Sequence, residues 1–248
     1  MTNFSFQGLQ NELATLIARA PAGQRMLNEP ALAKQLGVSR ATLREAIRMF
    51  ETQGLIRRRQ GSGTYVVGKV QAFDGNLEKL ESLETMAQRL GREVSMSALN
   101  IEQISADKNL AAELNVAARA RLSRIQRVIC ADGRPIAYLI DSLPEDVLHI
   151  DDLPANFRGS ILDFLVERGD NVKSSRAEVS AVGATAEIAK ALEIQRGDVL
   201  LHFRSQLFDA SGKVLDYSLS YFIPGYFHFH ITQNFPSSPA LPPKGEGS

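Results

Sequence analysis

Along the first third of the chain, apolar residues recur at helical spacing. "LQNELATLIARA" (Leu9 to Ala20) places them every third or fourth position and predicts a first helix. "EPALAKQLG" (Glu29 to Gly37) is a second, short helix closed by glycine. A third helix starts after Ser39, whose hydroxyl can accept from a free backbone N–H of the first turn. Within it Leu43, Ala46, Ile47 and Phe50 follow i, i+3, i+4, i+7 spacing, so one stripe is buried, and Gly54 ends the helix. The period then changes to two: "LIRRR" and "TYVV" flank Gln60-Gly61-Ser62-Gly63 as strand, loop and strand. "GKVQAFDGN" (Gly68 to Asn76) is polar and glycine-bearing and reads as a linker. A helix over about Leu77 to Leu90 follows, and then strands alternate with short helices. The closing "PSSPALPPKGEGS" has no means of burying a core and reads as a disordered tail.

The body repeats itself. "ADKNLAAELNVAARARLSRIQRVICADGRPIAY" (Ala106 to Tyr138) lies over "ATAEIAKALEIQRGDVLLHFRSQLFDASGKVLDY" (Ala184 to Tyr217) at an offset of 78 residues, becoming 79 after one inserted serine. Leu114 matches Leu192, Leu122 matches Leu200, Gly133 matches Gly212 and Tyr138 matches Tyr217. Each copy reads as helix, loop, long strand, turn, strand, which predicts a pseudo-symmetric α+β domain with an antiparallel sheet. The expected division is 1–69 for the head, 70–77 for the linker, 78–235 for the body and 236–248 for the tail.

Charge sharpens this division. Up to Lys69 the chain has ten Lys and Arg against four Asp and Glu, a balance of +6; the remainder has eighteen against twenty-four, a balance of −6. A cationic head on an anionic body points to nucleic acid at one end only. No apolar run reaches about 18 residues and no signal peptide is apparent, so the expected location is the cytoplasm. The single cysteine, Cys130, forms no internal disulfide and fits a buried apolar position.

On the third helix Arg40, Arg44 and Arg48 recur every fourth residue along one edge of the exposed side. Such a stripe fits the major groove, where guanidinium groups pair with guanine edges or grip phosphates. Two helices joined by a tight Gly-Val-Ser turn make a helix-turn-helix, and the basic hairpin after it makes a wing. Arg57, Arg58 and Arg59 would lie along the neighbouring backbone, with the small tip from Gly61 to Thr64 approaching a phosphate or entering the minor groove. "ALAKQLGVSRATLREAIRMFETQGLIRRRQGSGTYV" resembles the winged helix of the GntR family of bacterial transcription regulators. The resemblance implies DNA contacts from Ser39, Arg40, Thr42 and Arg44 on the recognition helix and from Gln60 and Gly61 on the wing. Where that family often has a basic residue before its second helix, this chain has Pro30.

The body resembles the UTRA effector-binding domain of the HutC-type branch, which has a chorismate-lyase-like fold. The pieces that match are "ADGRPIAY", "GSILDFLVERG" and the second repeat. In that branch small metabolites release the repressor from DNA. Arg127 shares a strand face with Ile125 and Ile129, and a charge on that inward side needs an anionic partner, either an internal carboxylate or a bound anion. The resemblance places Arg127, and Ser160 at a helix start, on anion-binding positions; Asp141, Arg176, Asp216 and Tyr217 are further candidates. Ile129 and Leu139 stand where the family often has a second arginine and a glutamate, so a phosphosugar is not implied.

No glycine-flanked nucleophilic serine, metal-ligand cluster or phosphate loop is apparent, and His228 and His230 on one strand face have no third ligand. The chain is therefore expected to be a cofactor-free, homodimeric DNA-binding regulator rather than an enzyme. Its expected partners are a near-palindromic operator and a small acidic metabolite. The alternative is a ligand-binding or catalytic protein with an accessory head.

Overall fold

The structure, a computed structural model, describes residues 6–233 other than 22, 60–62, 68–71, 156 and 158, and the side chains of residues 57 and 59 fall outside it as well. The segment expected to form the tail lies outside the described residues.

Three helices build the head: α1 (Phe6–Arg19), α2 (Glu29–Gln35) and α3 (Arg40–Thr52). α2 and α3 start on side-chain caps. Asn28 Oδ1 accepts from the Ala31 N–H at 2.9 Å, and Ser39 Oγ accepts from the Thr42 N–H at 3.1 Å. Pro30 sits in the first turn of α2, where its missing N–H costs nothing. The stripe Leu43, Ala46, Ile47 and Phe50 packs on Leu9, Leu13 and Ile17 of α1 and on Leu32 and Leu36. Burying one such Leu or Ile stabilises the head by about 1.5–3 kcal/mol. The wing pairs β1 (Ile56–Arg59) with β2 (Gly63–Val66) in antiparallel register, Ile56 opposite Val66. Residues 23–26 close its other edge: the Val66 N–H donates to the Gln24 carbonyl and the Met26 N–H to that of Thr64, both at 2.8 Å. Nothing in the sequence pattern announced this bridged segment, in which Arg25 stands opposite Tyr65.

In the body, α4 (Leu83–Arg89) precedes β4 (Ser95–Ser105), α5 (Lys108–Leu114), β5 (Arg121–Ala131) and β6 (Arg134–Pro144). Then come α6 (Ile161–Arg168), β7 (Val172–Gly183), α7 (Ala186–Ala191), β8 (Val199–Asp209), β9 (Val214–Phe222) and a last strand, β10 (Phe227–His230). Six strands form one antiparallel sheet in the order β4-β5-β6-β9-β8-β7. The repeat is therefore real in three dimensions and longer than its sequence signal. Each copy is a β-α-β-β unit, β4-α5-β5-β6 or β7-α7-β8-β9, and the two meet at β6 and β9. Register confirms the offset: Arg127 faces Leu139 as Ser205 faces Ser218, and Ile125 faces Asp141 as Phe203 faces Ser220. Leu114 and Leu192, like Leu122 and Leu200, are buried pairs.

Two boundaries differ from the sequence reading. Residues 73–76, expected in the linker, form β3 (Phe73–Asn76), which pairs in parallel with β10. Phe73 is fully buried and stacks on Phe227 at 5.4 Å. The helix expected from Leu77 covers only α4, because Ser82 caps it: Ser82 Oγ accepts from the Thr85 N–H at 2.9 Å.

Candidate functional site

On the head, Ser39, Arg40 and Arg44 are exposed and Thr42 is half-buried, its hydroxyl 2.8 Å from that of Ser39. Two predicted contacts share one internal partner. Arg44 Nε donates to Glu29 at 2.6 Å, and Arg58 Nη2 lies 3.2 Å from the other oxygen of the same carboxylate. The two arginine side chains are themselves largely exposed, at 56% and 38%, whereas the Glu29 side chain they share is 19% exposed. Gln60 and Gly61 lie outside the described residues, as do the side chains of Arg57 and Arg59. Exposed Arg25, bridged to Tyr65 at the edge of the wing, lies against Gly63 and is a cation that sequence reasoning missed.

Arg48 is placed differently. Its Nε and Nη2 both donate to Asp198 Oδ1 of the body, at 3.0 and 2.6 Å. Beside this pair the end of α3 is seated tightly on the body. A Cβ on Gly225, whose φ is +92°, would lie 2.5 Å from the Gln53 carbonyl oxygen, and one on Gly54, φ +71°, would lie 2.5 Å from the Tyr226 ring. Only glycine permits both the backbone conformation and the approach.

A cavity of about 750 Å³ lies against one face of the six-stranded sheet. Its wall includes Arg127, Leu139 and Asp141 from the first copy and Phe203, Ser205, Asp216, Ser218 and Ser220 from the second. The starts of α4 and α6, with Ser82, Glu84 and Ser160, and Phe229 of β10 cover it. Of the six predicted effector residues, Arg127, Ser160, Asp141 and Asp216 come together here. Arg176 does not: it is exposed on β7, 3.9 Å from Glu178. Tyr217 does not either, because a strand alternates faces and it packs behind the sheet with Leu114 and Val214.

The groups suited to gripping an anion are already occupied by carboxylates of the chain. Arg127, only 3% exposed, donates through Nη2 to Asp141 at 2.9 Å and through Nη1 to the Gly159 carbonyl at 2.6 Å, with Glu84 at 3.4 Å. Of the two roles open to Arg127, the internal ion pair is formed. At the starts of the two covering helices Asp163 takes the anion's place. It accepts from Ser82 Oγ at 2.6 Å and Thr85 Oγ1 at 3.3 Å, while its own N–H donates to Ser160 Oγ at 3.2 Å. Carboxylates remain in excess. Burial pushes the Asp216 carboxyl well above the usual range and the Asp141 charge adds to this, against the pull of the Ser142 N–H and Arg127. Burial also raises Glu84, with Arg127 opposing. Glu84 and Asp163 had no sequence signal, since each sits on a short helix and meets its partner, Arg127 or Ser82, only in the folded body.

Comparison with known proteins fits both halves. The profile described as "Bacterial regulatory proteins, gntR family" matches residues 10–66, and that of the UTRA domain matches residues 89–228, more than half of the chain. The chain belongs to the GntR family. NagR of Bacillus subtilis (strain 168), an HTH-type transcriptional repressor, is 27% identical over 196 residues, 78% of this chain and 79% of its own length. MngR of Escherichia coli (strain K12), a mannosyl-D-glycerate transport/metabolism system repressor, is 25% identical over 224 residues, 87% and 89% of the two chains. The crystal structure of PhnF from Mycobacterium smegmatis shares the fold, with a TM-score of 0.63 at 19% identity over 91% of this chain and 99% of that one. This GntR-family chain is accordingly a DNA-binding transcription regulator with a UTRA effector domain. Among its described residues no helix is long and apolar enough to cross a membrane, and no group of three His, Cys, Asp or Glu is placed to hold a metal ion.

Proposed function

We propose that the chain is a cytoplasmic repressor that acts as a homodimer. Each α3 reads one half of a near-palindromic operator through Ser39, Arg40, Thr42 and Arg44. The wing follows the backbone with Arg58, Gln60 and Gly61. A small metabolite taken up by the cavity releases the dimer. NagR and MngR, both named as repressors, support repression as the output.

The observation that carries this reading is the Arg48–Asp198 pair. Arg48 belongs to the edge of α3 that carries Arg40 and Arg44, yet its charge is held by the body. Asp198 directly precedes β8, whose Phe203 and Ser205 line the cavity. The DNA face and the cavity wall are thus one strand apart. Operator binding favours the state with Arg48 free, and a ligand favouring the seated state shifts the equilibrium off DNA by its differential affinity. The acidic effector expected from Arg127 is not what the pocket favours, because the guanidinium is already paired.

Selection of duplexes from a random pool by the full-length chain tests the proposal. Enrichment of two inverted half-sites, with light scattering showing two chains per complex, is expected; a single unpaired site bound by one chain, or no enrichment, overturns it.

A further inference from the structure

Taking the cavity as the effector site, the charges on its wall indicate what kind of molecule enters. The charged lining residues are Glu78, Glu81, Glu84, Asp141 and Asp216 against Lys79, Arg127 and Lys173; Glu81 is paired to Arg89 outside the wall at 2.7 Å, which leaves four carboxylates to three cations. Of these cations, Arg127 is spent on Asp141, Glu84 and the Gly159 carbonyl. Helix starts and hydroxyls that elsewhere hold phosphate are spent on Asp163. An incoming acid would therefore have to displace an internal carboxylate within a wall that already holds more carboxylates than cations. An incoming cation would relieve it.

Two observations narrow the class. The described carboxylates are not grouped closely enough to cage a metal ion, so the cation is organic. Arg127 Nε is buried with no hydrogen-bond partner among the described residues, so one donor still lacks an acceptor. A neutral oxygen on the ligand suits that donor without adding charge, and the hydroxyls of Ser205, Ser218 and Ser220 across the cavity suit further polar groups. Phe203, Phe222 and Phe229, with Leu139 and Leu207, are among the apolar residues of the wall.

We infer that the cavity binds a small organic amine bearing a hydroxyl or carbonyl oxygen, its protonated nitrogen held by Glu84 and Asp216 and its oxygen facing Arg127. Burial raises both carboxyls and Arg127 offsets it only in part, so an ammonium group beside them would favour their charged forms.

The test is a thermal melt of the full-length chain with probes matched in size and differing in charge: ethanolamine against glycolate, glucosamine against glucose and glucuronate, and inorganic phosphate. At least one amine should raise the melting temperature while its acidic counterpart and phosphate do not. Glu84→Gln, half-buried at the cavity edge, and the isosteric Asp216→Asn should each weaken that amine roughly ten- to a hundredfold. Melts without ligand identify a variant that has simply lost stability, and Glu84→Gln then decides. The inference is overturned if phosphate or an acid raises the melting temperature, if no amine outperforms its acid, or if both variants bind the amine as the wild type does. Operator release is measured separately: an amine that binds but leaves the operator bound would refute the release mechanism and leave the ligand class standing.

Discussion

Arg44 and Arg127 are the same side chain in opposite circumstances. The side chain of Arg44 is 56% exposed and paired to a half-buried glutamate, whereas that of Arg127 is 4% exposed and locked among Asp141, Glu84 and a carbonyl. A surface pair is worth about 0–1 kcal/mol, so Arg44 can leave Glu29 for DNA at almost no cost. A buried pair holds because each charge would be intolerable alone. On the proposed function the head's exposed arginines would serve recognition, whereas the body's buried one serves as a keystone. Exposure, not residue type, decides which.

The largest expected effect breaks the buried side of this comparison. Arg127→Ala should strand Asp141 and Glu84 and destabilise the body by about 3–5 kcal/mol. A thermal melt should show a fall on the order of 10 °C. Combining Arg127→Met with Asp141→Leu should recover part of the loss, because two charges are then removed together. Arg44→Ala should leave the melt unchanged and cost about 1–3 kcal/mol in operator affinity if it reads a base. Arg58→Ala should instead weaken binding to every duplex and flatten the salt dependence, as a phosphate contact does.

Smaller again is the effect of freeing Arg48. Asp198→Ala removes a partner from a half-exposed arginine, worth about 1 kcal/mol at most. Operator affinity should rise by roughly threefold to fivefold, read by fluorescence anisotropy, and more ligand should be needed for release. Asp216 sharpens the comparison through pH. A carboxyl whose folded pKa lies above its unfolded value contributes stability that is full below the unfolded pKa and is lost as pH rises through the folded one. Asp216→Asn should abolish that decline, so wild type and variant should diverge as pH rises in paired melts.

These residues also mark what the amino-acid pattern could disclose. The stripe of α3, its Ser39 cap and the arginine edge are local, spaced by one helical period, and all were legible. So was the repeat, since matching Leu114 with Leu192 and Gly133 with Gly212 needs only alignment of the chain with itself. β3 was not. "FDGN" carries too little apolar alternation to read as a strand, and its partner β10 comes from the far end of the body. The ring of carboxylates around Arg127 was hidden for the same reason: Glu84 lies 43 residues before it. The Arg48–Asp198 pair spans 150 residues, and neither end has a local pattern that names the other. Arg127 was correctly seen as buried and in need of an anion. The chain alone could not say that the anion was its own.

The central claim is that cavity occupancy and DNA binding are one linked equilibrium running through α3. Linkage makes this directly measurable: the factor by which a cavity ligand weakens operator binding must equal the factor by which operator weakens ligand binding. Operator affinity measured by anisotropy with and without an amine that stabilises the chain, and amine affinity measured by calorimetry with and without operator, should both fall by one common factor, about five- to 150-fold. An amine that binds the free chain and the operator complex equally well would contradict the account.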